Sequence, residues 1–165
     1  MKTLKKGGDL IGKGAYGCVF NVEFPCRKKS KIKNRREFKY ISKIFFHVHA
    51  IKEAKLEFEM NKLVNKIKGN NNWCVLWSRI CRPHSYIELY KHDKKIAECL
   101  KVSGLNREQF NKRSAMLIGK YGGDSLENIF KKEVVKIKNK QEFIHFFLKI
   151  MRRMLSLFEG IKALK

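Results

Sequence analysis

Gly12, Gly14 and Gly17 fall in a G-x-G-x-x-G spacing within Leu10-Ile11-Gly12-Lys13-Gly14-Ala15-Tyr16-Gly17-Cys18-Val19-Phe20. Glycine has no Cβ, so the backbone can turn tightly and a ligand can approach it closely. A loop of this kind lays its N–H groups over phosphate oxygens, and the chemistry it offers is nucleotide or anion binding. Dinucleotide-binding folds share the spacing, but in them the third glycine opens a helix. Here Gly17 leads into Cys18-Val19-Phe20-Asn21-Val22-Glu23-Phe24, whose alternation of β-branched and aromatic residues predicts a strand. Strand, glycine loop, strand is therefore the expected order, with the loop as a flap over phosphates.

The flap needs elements to carry it. The first hairpin is expected from about Asp9 to Phe24. A basic stretch follows Pro25, from Cys26 to Arg36, and with almost no apolar content it reads as a solvated loop. As a nucleic-acid patch it lacks aromatic residues for base stacking, so that reading is not favoured. Lys39 to Phe46 reads as a third strand. Ala50 to Ile67 reads as a helix, with Leu56, Met60, Leu63, Val64 and Ile67 as its apolar face and Gly69 at its end. Asn70-Asn71-Asn72 marks a turn. Beyond it, Trp73 to Trp77 is a strand candidate and Asp93 to Leu100 a helix candidate. Ser114 to Gly119 predicts a short apolar strand, and Gly122-Gly123 a flexible connection. Asp124 with Glu127, and Asn139 with Glu142, read as helix-start devices. The second opens a long helix, Lys140 to about Lys162, striped by Phe143, Phe147, Ile150, Met154, Leu157 and Ile161.

With 165 residues the chain can build one domain with a real core. Its net charge of +23 attracts anions in general without selecting one, and a lysine-rich coding background accounts for it equally well. The apolar run Phe143 to Phe158 is broken by Lys149, Arg152 and Arg153, which argues against a membrane span. Five cysteines form no C-x-x-C pair, and no signal-peptide pattern begins the chain. Reduced thiols in a cytosolic or nuclear setting, and no secretion, are therefore expected. A zinc site of Cys74, Cys81 and His84 would need a non-standard spacing and is set aside.

Taken in order, these elements resemble the amino-terminal lobe and hinge of a eukaryotic-type Ser/Thr protein kinase, above all the divergent kinases of large cytoplasmic DNA viruses. There, a loop like Gly-Lys-Gly-Ala-Tyr-Gly-Cys-Val-Phe and a Ser-Lys pair are common. The resemblance implies an α+β chain, with a kinase-like lobe of antiparallel sheet plus one helix over about 1–119, with insertions. A hinge would span 120–123, and the first helices of an incomplete second lobe 124–165. It implies ATP as ligand, with Mg²⁺ if the protein is active. Ile11, Gly12, Lys13, Gly14, Ala15, Tyr16, Gly17, Cys18 and Val19 would form the ATP flap, with Tyr16 at its tip and Ile11 and Val19 against the adenine. Tyr40-Ile41-Ser42-Lys43 matches V-A-I-K, so Ile41 would roof the base and Lys43 reach the α- and β-phosphates. Lys39 and Lys52 are rival lysines that fit less well. Glu57 would be the ion-pair partner of Lys43, with Glu53 and Glu59 as alternatives. Lys120 and Tyr121 would offer hinge backbone to the adenine edge, with Gly119 standing where a larger gatekeeper is usual.

No H-R-D, D-F-G or A-P-E sequence occurs, so neither a catalytic base nor a metal-binding residue can be assigned. His84-Ser85 and His92-Asp93 do not repeat a catalytic loop, and Asp124 is better read as a cap. A truncated or inactive homologue is the expected status, in host-cell cytoplasm or in a virion. Two other readings remain. One is an interaction module that engages another protein, such as another kinase, through helix 140–162, where Phe143, Phe147 and Met154 are candidates for exposure. The other is an anion or nucleic-acid binder acting through residues 27–39.

Overall fold

The computed structural model describes residues 10–14, 16–27, 40–67, 76–122 and 126–162. Ala15, most of the basic loop, the Asn70-Asn71-Asn72 turn, Trp73 to Val75 and the Asp124 cap lie outside these residues. The chain divides into two compact units: Met1–Asn61 with Leu76–Tyr121, and Lys62–Val75 with Gly122–Lys165.

The first unit is built on a five-stranded antiparallel sheet ordered β1-β2-β3-β5-β4. The strands are β1 (Leu10–Gly14), β2 (Gly17–Phe20), β3 (Tyr40–Phe45), β4 (Trp77–Cys81) and β5 (Ala115–Lys120). The α+β class expected from the sequence is what the chain adopts. Residues paired across the strands share a face. Val19, Lys43 and Leu117 lie in register on one face, and Cys18, Ile44 and Met116 on the other.

Helix α1 (Ala50–Val64) covers the first face, where Ala50 and Ala54 bury against Phe45, Ala115 and Leu117. This corrects the expected apolar face of that helix. Leu56, Met60 and Leu63 are exposed, and Val64 is the one helical member of the proposed stripe that is buried. The reason is steric. Alanines allow a close approach to the sheet that leucine and methionine would prevent. The helix also ends at Val64, short of the expected Ile67.

The second face is covered by three short helices between β4 and β5: α2 (Tyr86–His92), α3 (Ile96–Ser103) and α4 (Arg107–Arg113). Of these, only α3 matches a helix expected from the sequence. Tyr86, Leu89, Ile96, Cys99 and Phe110 bury against Phe20, Ile44, Met116 and Ile118. Ser85 caps α2 by accepting from the Glu88 N–H, and Asn106 with Gln109 forms a reciprocal capping box on α4. Gly104, at φ +63°, closes α3 in the left-handed conformation that favours glycine. On the solvent side, Lys91 and Lys112 hydrogen-bond Glu88 and Glu108 and hold both carboxyls below the usual range. Of the strand candidate Trp73 to Trp77, Leu76 and Trp77 are among the described residues, and Trp77 opens β4.

Ser42 is buried in β3, and its hydroxyl meets both of its needs. It accepts from the Phe24 N–H at 2.9 Å and donates to the Val22 carbonyl at 2.7 Å, so the chain after β2 is pinned back onto β3.

The cysteines overturn the expectation of reduced thiols. Cys18 is bonded to Cys99 and Cys26 to Cys81. The first bridge fastens β2 to α3. The second fastens the segment after β2 to β4, beside the isolated pairing of Cys26 with Pro83. Cys81 is thereby withdrawn from the zinc trio, and no cluster of three metal-ligating side chains occurs among the described residues.

The second unit holds α5 (Leu126–Val134) and α6 (Lys140–Lys162). Asn139 accepts from the Glu142 N–H at 2.9 Å, while the Glu142 carboxylate accepts from the Lys138 N–H at 2.8 Å. Phe130 meets Phe146 edge to face at 5.2 Å. Of the expected α6 stripe only Ile150 is buried, joined by Phe146. Phe143, Phe147, Met154, Leu157 and Ile161 are exposed. No helix among the described residues is long and apolar enough to cross a membrane.

Candidate functional site

The glycine hairpin is closed by Gly14 opposite Gly17, with Gly12 opposite Val19 and a bulge between Leu10 and Gly12. Gly17 has a steric reason to be glycine, since a Cβ there would drive into the Ile44 backbone carbonyl. Tyr16 is exposed at the turn and sits edge-on to His47 at 5.4 Å. His47 is itself bonded to Glu53, with Nε2 to Oε2 at 2.8 Å.

The same register that places Val19 opposite Lys43 aims both at the face covered by α1. There Lys43 Nζ meets Glu57 Oε2 at 2.6 Å and lies 4.7 Å above the Phe45 ring. Both members of the pair are about two-thirds covered (29% and 33% exposed). An ammonium so placed is held by one carboxylate and keeps donors for a second anion. The other candidate acids are differently engaged: Glu53 is taken by His47, and Glu59 lies on an exposed part of α1. Lys52 is exposed on α1, and Lys39 lies outside the described residues.

The remaining residues of the proposed ATP site divide. Gly12, Val19, Ile41 and Gly119 share the Lys43 face by register. Ile41 is only 6% exposed, so it can offer a ligand little more than an edge. Cys18 and Lys13 point to the opposite face. Cys18 is buried in its disulfide, and Lys13 pairs with Glu98 of α3 at 3.8 Å. Their side chains are therefore separate from Lys43, and only their backbone belongs to the flap. Ile11 and Lys120 are exposed and Tyr121 is half-buried. A groove of about 400 Å³ between β1 and α3 is lined by Leu10, Ile11, Gly12, Lys13, Lys95 and Glu98, on the far side of the sheet from Lys43.

Two site residues escaped the sequence reading. Trp77 donates its indole N–H to Glu57 Oε1 at 2.9 Å. Asn61 grips the Trp77 backbone at both groups, accepting from its N–H at 2.9 Å and donating to its carbonyl at 2.8 Å. A spacing signal existed for Asn61, four residues after Glu57 on the same helical face. Trp77 had none, because strand pairing alone brings it there.

Asp93, the one aspartate among the described residues, is buried as the cap between α2 and α3, where Oδ1 accepts from the Lys95 N–H at 2.9 Å. No protein-family model, curated protein or solved structure matches the chain, so the chemistry assigned to this face rests on its own residues and their geometry.

Proposed function

We propose that the first unit is a protein-kinase-like lobe that binds ATP, with the glycine hairpin over the phosphates and Lys43 as their cationic contact. The observation that carries this reading is the Lys43–Glu57 pair at 2.6 Å, on the face that Val19 and Gly12 share beneath the hairpin. The carboxylate fixes the lysine amine at a set distance from the loop, which is what recognition of a triphosphate requires. Magnesium would arrive with the nucleotide. The proposal stops at binding, because phosphoryl transfer also needs a base and protein metal ligands, and the sequence has no H-R-D or D-F-G motif to supply them.

Isothermal titration of the full chain with Mg-ATP tests the reading. Binding is expected, and Lys43→Met should weaken it roughly 10- to 100-fold, the effect of losing a charged hydrogen bond to phosphate. No heat of binding, or equal affinity in the variant, would refute it.

Phe143, Phe147, Leu148, Leu155 and Phe158 are all exposed on α6, beside Lys149, Arg152 and Arg153. This favours an additional role in engaging another protein. With a second copy of the chain as that protein, Phe147→Asp shifts sedimentation toward smaller species, and an unchanged profile would remove that support. Of the two settings the resemblance implies, host-cell cytoplasm and virion, the paired cysteines favour the virion, because a reducing cytosol opens such bonds.

A further inference from the structure

Glu57 is held at both oxygens. Lys43 occupies Oε2 at 2.6 Å and the Trp77 indole N–H occupies Oε1 at 2.9 Å. Trp77 is in turn fixed by Asn61, one helical turn beyond Glu57, through both backbone hydrogen bonds. Helix α1 and strand β4 are thus joined by three hydrogen bonds converging on one tryptophan. Each of them is made by protein groups alone.

The tryptophan ring also explains Gly119. Trp77 and Gly119 are paired in the β4–β5 register. A Cβ at Gly119 would lie 2.9 Å from Trp77 Cε3 and 2.8 Å from the Leu76 carbonyl oxygen, closer than real contacts allow. The space that a side chain at 119 would take is filled by the indole from the neighbouring strand. Glycine at that position and tryptophan at 77 form a single steric solution.

We infer that Trp77 is a positioning residue for the nucleotide site. It holds the Glu57 carboxylate in the orientation that pairs with Lys43, and its ring fills the space where Gly119 provides no side chain. The inference rests on the ATP-binding reading for its functional consequence. The Glu57–Trp77 coupling can be measured without nucleotide.

The chain has two tryptophans, so a ¹H–¹⁵N spectrum shows two indole N–H resonances, and Trp73→Phe identifies the one from Trp77. Glu57→Gln, which keeps the acceptor but removes its charge, is expected to move the Trp77 resonance and to hasten its exchange with water. Trp77→Phe, which keeps a ring against Gly119 but has no donor, is expected to raise the Kd for Mg-ATP about tenfold. An indole resonance indifferent to Glu57→Gln overturns the inference, as does Mg-ATP binding of wild-type strength in Trp77→Phe. If wild-type protein binds no Mg-ATP, the nucleotide reading fails by itself. The indole response to Glu57→Gln then still decides whether Trp77 holds Glu57.

Discussion

Replacing Phe110 with alanine should lower stability by roughly 3–5 kcal/mol, the cost of deleting a fully buried ring from a core that cannot collapse around it. Phe110 has no exposed surface and packs edge-on to Tyr86, with ring centroids 6.1 Å apart. Tyr86 is in turn held by Arg107 over its ring and by Asn111, which accepts from its N–H at 2.7 Å. The three-helix cover therefore loses its central contact, and with it the shield over Ile44, Met116 and Ile118. Against a typical total of about 5–15 kcal/mol, such a loss leaves the sheet marginal. Guanidinium denaturation of wild type and variant measures it. A difference below about 1 kcal/mol would mean that this cover does not stabilise the sheet.

Reduction should have an effect of similar size. Cys18 and Cys99 are 81 residues apart in sequence, and closing a loop of that length lowers unfolded-state entropy by an amount worth about 4.5 kcal/mol. Cys26–Cys81 spans 55 residues inside the first loop, so the two contributions overlap and the joint effect is less than their sum. The expected result is a guanidinium midpoint that falls clearly when the protein is unfolded in excess dithiothreitol. Non-reducing peptide maps should link Cys18 to Cys99 and Cys26 to Cys81. Identical midpoints with and without reductant would contradict these bonds as stabilising features.

Local chemistry was the legible part of the molecule. The glycine spacing and the alternation after Gly17 specify a hairpin from adjacent residues alone. The choice of Lys43 and Glu57 came through the family resemblance, and the structure brings the two within 2.6 Å. What escaped depends on contacts between distant segments. Of the three helices over the second face, α2 and α4 have seven residues each, too short to show a stripe, and their caps at Ser85 and Asn106 were the one local clue. The stripe on α1 misled because burial there selects for smallness, at Ala50 and Ala54, rather than for hydrophobicity. Cysteine pairing was hidden by an odd count and by strands that meet only after folding. The same holds for Trp77, which reaches Glu57 through a β4–β5 pairing that no sequence period encodes.

An acyl phosphate of ATP transfers its acyl group to an amine lying beside the phosphates, and peptide mass mapping then shows whether Lys43 is that amine. Lys43 is expected to be the lysine that is acylated, with excess Mg-ATP suppressing the reaction. Acylation spread over exposed lysines such as Lys13, Lys52 and Lys120, with no protection by Mg-ATP, would contradict it.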